Sequence, residues 1–418
     1  TPRCMTSTVE RPDGAGVRPG AFFFLQATAF LSAAGTGLVV PVVPFLAARF
    51  AGDPAHVASA VGLLSASYSL CAFFSAPALG ALSDATGRRP VLLLSLVGSA
   101  AGYALFGFAD ALPLLFLGRA IDGLTAGNVG TLFAYLGDTS PPEQRARDFG
   151  RIGAMFGAGL IAGPALGGLA LRFGLKAPFF LAAALTALNA AGSYVFLEES
   201  LAPERRARAV PWRKLDPLSQ LAGLLRLKHL RPLLTVGVLF TAAFVSLQAT
   251  FALLAKDRLG WGADAVSFAV IAVGVTDVCV QGILLERLVR AFGDSRVLAL
   301  GLGLVVLALA TMALVASHPS APAFVAAIVA FAGGEGLLTA SFAALLSRAA
   351  GPAAQGQAQG GNQALQELAY VVVPLVATQL YARVGMGAPF WAATAAAALA
   401  GVLLRAGVVE AVAARGEE

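Results

Sequence analysis

The chain has 418 residues, of which 58% are hydrophobic and only 12% charged; its mean hydropathy is +0.78 and its formal net charge +6. A soluble globular chain carries about 25% charged residues, so this one lacks the polar surface that water would require, and a soluble enzyme or a set of soluble domains is excluded. The basic balance is then a matter of membrane topology, not of nucleic-acid binding.

Residues 1–19 are polar and have no apolar core followed by a cleavage site, so they form a tail and not a secretory signal. Met5 within this tail is a candidate native start. A membrane-crossing helix needs about 20 apolar residues. Windows of that kind lie at 20–47, 57–82, 91–109, 113–137, 146–172, 177–197, 231–256, 263–289, 296–316, 321–347, 356–382 and 388–410. The runs are continuous and do not alternate, which excludes a membrane barrel. Glycine and alanine are abundant inside them, as close helix packing in lipid requires. The predicted fold is an all-α membrane protein of twelve transmembrane helices. With both termini placed in the cytoplasm, the opposite loops hold only Arg49, Arg172, Lys176, Lys256, Arg258 and Arg383; Arg119 lies inside a span and the rest of the 29 basic residues face the cytoplasm. Cys4, Cys71 and Cys279 are scattered and imply no disulfide framework.

Between spans 2 and 3 runs "GALSDATGRRP", Gly80 to Pro90. Gly80 and Gly87 permit close backbone approach and positive φ. Asp84 can pair with Arg88 or Arg89, or face a helix N-terminus. The plainer reading is a basic cytoplasmic loop with no further role. In span 4, Arg119 and Asp122 stand three apart on one helix face, and a charge at depth marks function by default; a purely structural ion pair is the alternative. Asn128, Asn189 and Tyr68 are further polar candidates in this region. Span 5 holds Gly153, Gly157, Gly159, Gly163, Pro164, Gly167 and Gly168. Such a run has packing and bending to offer, and Pro164 kinks the helix.

Residues 198–230 form the longest polar stretch between the spans and divide them six and six, giving halves at 20–197 and 231–413 with a short tail at 414–418. Asp216–Leu230 reads as an amphipathic helix on the membrane surface. Span 7 carries Phe240, Phe244, Gln248 and Phe251 at spacings that make one stripe, either a drug-cavity wall or ordinary packing. Asp277, Glu335 and Glu367 fall near the centres of spans 8, 10 and 11. Ionised and isolated there, each is costly, and a proton or cation relieves the cost. Polar neighbours share their faces: Gln281 follows Asp277 by four residues, Thr339 follows Glu335 by four, and Gln363 and Tyr370 flank Glu367.

The halves echo each other. "FGDSR" (Phe292–Arg296) follows span 8 as "TGRR" (Thr86–Arg89) follows span 2, and Pro374 in span 11 corresponds to Pro164 in span 5. The two offsets nearly agree, which indicates a duplicated six-helix unit. Duplicated halves with a site between them at mid-membrane describe a secondary transporter.

Five stretches, in order, resemble the signatures of one family. These are "GTGLVVPVVPFL" (Gly35–Leu46), "GALSDATGRRPVL" from Gly80, "GRAIDGLTAGN" (Gly118–Asn128), "GAGLIAGPALGG" (Gly157–Gly168) and "GQAQGGNQAL" (Gly356–Leu365). The chain resembles the major facilitator superfamily, and within it the drug:proton antiporter branch that includes the tetracycline-efflux proteins. The resemblance covers nearly all of the twelve spans. It implies two pseudo-symmetric six-helix bundles and efflux by alternating access. It makes Gly80, Asp84, Gly87, Arg88 and Arg89 a cytoplasmic latch, assigns Arg119 to proton coupling, and makes the span 5 run with Gly163 and Pro164 a leak-tight contact between halves. Ser32 stands where tetracycline exporters carry an acid in helix 1, span 9 holds no central acid, and Glu335 replaces an apolar residue. These departures argue against tetracycline itself as substrate and move the coupling acids to Asp277, Glu335 and Glu367.

No "GxxxxGK[ST]" loop is present, so ATP is not the expected driving force. His56, His229 and His318 are scattered in loops and suggest no metal site. The expectation is a cofactor-free, monomeric transporter of the inner (plasma) membrane. Asp277, Glu335 and Glu367, modulated by Arg119 and Asp122, would bind protons, or sodium as the alternative. Phe240, Phe244, Gln248, Phe251, Gln281, Thr339, Gln363, Tyr370 and Asn128 would contact a small amphipathic compound. The other readings are an ion-coupled importer or facilitator of a metabolite, and a transporter-like receptor.

Overall fold

Proline sits in the first turn of seven helices, those beginning at Val43, Pro54, Leu112, Ala177, Arg231, Ala321 and Ala388, where its missing N–H has no intrahelical partner to lose. The computed structural model describes residues 19–140, 142–206 and 230–404. The predicted tail up to Arg18, the amphipathic helix before Leu230 and the C-terminal tail lie outside the described residues. Among the described residues there are helices and no strand.

The first half contains α1 (Pro19–Val39), α2 (Val43–Ala51), α3 (Pro54–Thr86), α4 (Arg88–Phe108), α5 (Leu112–Leu124), α6 (Asn128–Thr139), α7 (Pro142–Ala170) and α8 (Ala177–Phe196). The second contains α9 (Arg231–Leu259), α10 (Ala263–Cys279), α11 (Leu285–Phe292), α12 (Asp294–Ser317), α13 (Ala321–Arg383) and α14 (Ala388–Leu403). Three expected spans are interrupted. Span 1 breaks between α1 and α2, at Pro41, which cannot donate to the helix ladder. Span 4 breaks at Thr125–Gly127, between α5 and α6. Span 8 passes from α10 through a π-helical turn, Val280–Leu284, into α11. Such wide turns commonly mark functional sites.

α13 has 63 residues, and a straight helix of that length would run about 95 Å, three membrane thicknesses. It does not run straight. Near its start Phe324 packs edge-on against Trp261, 5.2 Å between ring centres. Near its end Tyr381 donates to Asp257 Oδ2 at 3.0 Å. Both contacts lie at the α9–α10 junction, so the chain doubles back between its two membrane-length segments, Ala321–Ala350 and Gly361–Arg383. Ten described segments are long and apolar enough to cross a membrane. α14, at 16 residues, and the broken pair α5–α6 are consistent with the remaining two crossings of a twelve-helix fold.

The two halves meet at one end, marked by Asp53. Gln379 Nε2 on α13 donates to Ser59 Oγ on α3 at 2.9 Å. Nearby, Gly62 lies so close to α13 that a Cβ would stand 2.9 Å from the Pro374 carbonyl oxygen. Across the molecule, Gly274 of α10 abuts Ile161 of α7, where a Cβ would meet Ile161 Cγ1 at 2.8 Å. At the opposite end, marked by Arg88, the ion pairs of the described residues each stay within one half. The helix 5 glycines divide their work. Gly163 of α7 packs on α1, where a Cβ would stand 2.5 Å from the Ala34 carbonyl oxygen, and Pro164 Cδ lies against Gly37. The tightest packing of Gly163 and Pro164 is therefore inside the first half, while Gly157 and Gly168 of the same run face α10, where a Cβ would stand 3.8 Å from Val278 Cγ2 and 3.6 Å from Ser267 Cβ.

Candidate functional site

A cavity of about 430 Å³ lies between the halves. The first half contributes a wall of hydroxyls and one ion pair. Arg119 and Asp122 come from the last two turns of α5, just before the break, and approach to 3.8 Å with both side chains largely buried. Ser99 of α4 donates to Asp122 Oδ1 at 2.8 Å. The Arg119 guanidinium lies over the rings of Tyr68 and Phe106, 5.6 and 5.1 Å from their centres. Its buried Nε has no hydrogen-bond partner. A cation at this depth is thus held by one carboxylate and two π faces. The second half adds Gln248 of α9 and Tyr370 and Pro374 of α13 to the lining.

Asp277, Glu335 and Glu367 repeat one local arrangement. Gln281 Nε2 donates to Asp277 Oδ1 at 2.6 Å, Thr339 Oγ1 to Glu335 Oε1 at 3.0 Å, and Gln363 Nε2 to Glu367 Oε1 at 2.9 Å. In each pair the donor stands one helical turn nearer the Arg88 end than the acid. The acids are half-buried and the donors exposed or half-exposed. α10 and α13 touch where the acids lie: a Cβ on Gly336, beside Glu335, would be 2.8 Å from Asp277 Oδ1. Tyr370 is within electrostatic reach of both Glu335 and Glu367, and Tyr68 of Glu367 and Arg119. The acids therefore share one neighbourhood, carry no basic partner among the described ion pairs, lie outside the lining of the cavity, and have their exposed donors on the Arg88 side. Chemically the cluster offers carboxylates with neutral hydrogen-bond partners, groups that can take up and release a proton.

The phenylalanine stripe is a correction. Phe240 and Phe251 are buried in the core and Phe244 packs between Phe240 and Phe331, at 6.3 and 6.0 Å. Of the stripe only Gln248 faces the cavity, beside Val245, Ala249 and Ala252. The aromatic spacing reflects helix packing. Asn189 is also structural, donating to Thr28 Oγ1 at 2.8 Å. The side chain of Asn128 lies outside the described residues.

The Gly80–Pro90 stretch is built as a junction. Gly87 has φ +115° and ends α3. Arg88 then bridges Asp84 Oδ1 at 2.5 Å and Asp138 Oδ2, at the end of α6, at 2.9 Å. Arg89 lies over the Tyr194 ring and donates to the Tyr194 carbonyl. Gly80 is exposed, with ordinary φ and open space where a methyl group would stand, so its expected close approach is not realised. Two members of the junction are absent from the sequence reading. Asp138 completes the bridge, and Glu199, just beyond α8, accepts from the backbone N–H of Arg88 at 2.7 Å and of Arg89 at 3.2 Å. Their only sequence signal is acidity in "LGDTS" and "LEES", and nothing local says that these ends meet α4.

A model of the Major Facilitator Superfamily matches residues 26–285 and 259–416, essentially the whole membrane region. The chain belongs to this superfamily. The class C tetracycline resistance protein of Escherichia coli is 34% identical over 367 residues, 87% of this chain and 90% of that one. The class D protein of Salmonella ordonez is 32% identical over 377 residues, 90% and 93% of the two chains. The human organic anion transporter MFSD10 superposes with a TM-score of 0.69 at 24% identity, covering 93% of this chain and all of that one, which shows the fold. In this superfamily context the chain is a multi-pass membrane protein with a small-molecule substrate, and a cavity lies between its two helical halves.

Proposed function

We propose that this superfamily member is a drug:proton antiporter in which Asp277, Glu335 and Glu367 carry the protons. It is a secondary transporter that exports a small amphipathic compound by alternating access. Kinship with the tetracycline resistance proteins supports efflux. The observation that carries the coupling is the threefold repeat of acid and neutral donor, each donor one turn nearer the Arg88 end. We place the protein in the inner membrane as a monomer with both termini in the cytoplasm. The Arg88 end then faces the cytoplasm, and the state described is open inward.

The cycle follows from that geometry. Acids facing the cytoplasmic opening release protons there, and the compound enters the cavity past Gln281, Thr339 and Gln363. Rocking closes the Arg88 end and parts the Asp53 end, which requires breaking Ser59–Gln379. The compound leaves outward and the acids reload. Arg119 and Asp122, neutral as a pair, tune the field at Glu367 through Tyr68.

Everted membrane vesicles test this reading. With a pH gradient monitored by a fluorescent amine, addition of a drug from a panel of tetracycline and amphipathic dyes dissipates the gradient. Glu335→Gln and Asp277→Asn abolish that response while expression persists. Drug uptake driven by sodium alone, with no proton movement, contradicts the coupling.

A further inference from the structure

The two halves carry the same end bridge with its charges reversed. Gly87, at φ +115° and ψ 162°, precedes Arg88, the first residue of α4. Gly293, at φ +77° and ψ 158°, precedes Asp294, the first residue of α12. Arg88 reaches Asp138 at the end of α6, and Asp294 is reached by Arg348, two residues before the first membrane-length segment of α13 ends at Ala350. Gly87 and Gly293 are repeat equivalents, and so, by the same offset as Pro164 and Pro374, are Asp138 and Arg348. One cationic bridgehead thus corresponds to one anionic bridgehead.

Helix electrostatics make the two unequal. An N-terminus carries partial positive charge and favours an anion, and a C-terminus the opposite. Asp294 at the start of α12 obeys this rule. Arg88 at the start of α4 and Asp138 at the end of α6 both violate it. The first half compensates with two acids: Glu199 accepts both of the first N–H groups of α4, and Asp84 shares the guanidinium. Arg88 is largely buried, its side chain 12% exposed, whereas Asp84 is 55% exposed.

We propose that Glu199 is a positioning residue of the gate: it supplies the anion that the α4 N-terminus lacks, so that Arg88 can occupy a place a cation would otherwise leave. The Asp294–Arg348 bridge is the charge-reversed counterpart, whose anion itself suits the α12 N-terminus. The first-half bridge is then the one that yields when the Arg88 end closes, and the second-half bridge keeps its own end fixed. The inference rests on the alternating-access reading, but not on any substrate.

The experiment reads the gate without transport. Spin labels on Leu82→Cys and Ile283→Cys, exposed sites in the two halves, in a chain otherwise free of cysteine, report the width of the Arg88 end. The expected parent protein shows wide and narrow populations. Glu199→Gln changes their ratio by about threefold or more, and Glu199→Asp by less. Exchanging Asp294→Arg with Arg348→Asp keeps an ion pair but sets a cation at the α12 N-terminus, and it changes the ratio comparably. Ratios unchanged in Glu199→Gln and in the exchange, or a lower melting midpoint with no redistribution, overturn the proposal. Should Glu199→Gln fail to fold, Glu199→Asp and the exchange decide by the same criterion. Redistribution together with no drug or proton movement would contradict the efflux reading and leave the gate standing.

Discussion

Three carboxylates with three neutral donors carry the proposed coupling at the residue scale. Each acid is read directly from sequence, because a lone Asp or Glu inside an apolar run has few structural excuses. Their partners were legible too, since a spacing of four on a helix fixes the neighbour. The phenylalanine stripe failed for the converse reason: apolar periodicity says which face is buried and not whether protein or cavity buries it. Glu367→Gln is expected to preserve assembly and lose proton-linked export, as measured by drug accumulation in cells; unchanged accumulation in that variant alone would remove Glu367 from the set. Gly62 makes a second residue-scale prediction. Gly62→Ala places a methyl against the Pro374 carbonyl, and such overpacking costs about 1–3 kcal/mol. That cost falls on the state closed at the Asp53 end, so a cysteine at Ser59 becomes more reactive toward an impermeant maleimide.

Elements add the breaks. The twelve apolar runs located the helices, yet hydropathy is blind to the interruptions within them. Pro41 explains one break. The Thr125–Gly127 break and the π-helical turn after Asp277 carry no proline, and they depend on packing against neighbours that the sequence does not display. One helix start has a pH-dependent cap. The Asp53 carboxylate accepts from the His56 backbone N–H at 2.9 Å, which holds its carboxyl below the ordinary aspartate range. The cap is complete above the ordinary value and is lost as pH falls through the lowered one. Hydrogen exchange at the first turn of α3 should therefore be constant, after correction for intrinsic rates, from neutrality into mild acid. Asp53→Ala should quicken it at all these pH values.

At the scale of the molecule, the duplication was visible as two weak offsets, and the structure gives it content in Gly87 and Gly293, Asp138 and Arg348. What sequence could not supply was contact between distant ends, such as Glu199 on α4 or Gly274 on α7. The halves touch chiefly where α3 packs on α13 and α7 on α10, through neutral contacts such as Ser59–Gln379 and Gly274–Ile161, while the ion pairs of the described residues stay within each half. The central claim is that the carboxylate cluster exchanges protons for drug. Purified protein in liposomes with an imposed pH gradient, inside acidic, tests it most directly by following interior pH and drug uptake together across a panel of tetracycline and amphipathic dyes. Protons are expected to leave as a drug enters, with both fluxes lost in Glu335→Gln and in Asp277→Asn. Drug entry with no proton flux, or the same flux in both variants, would contradict it.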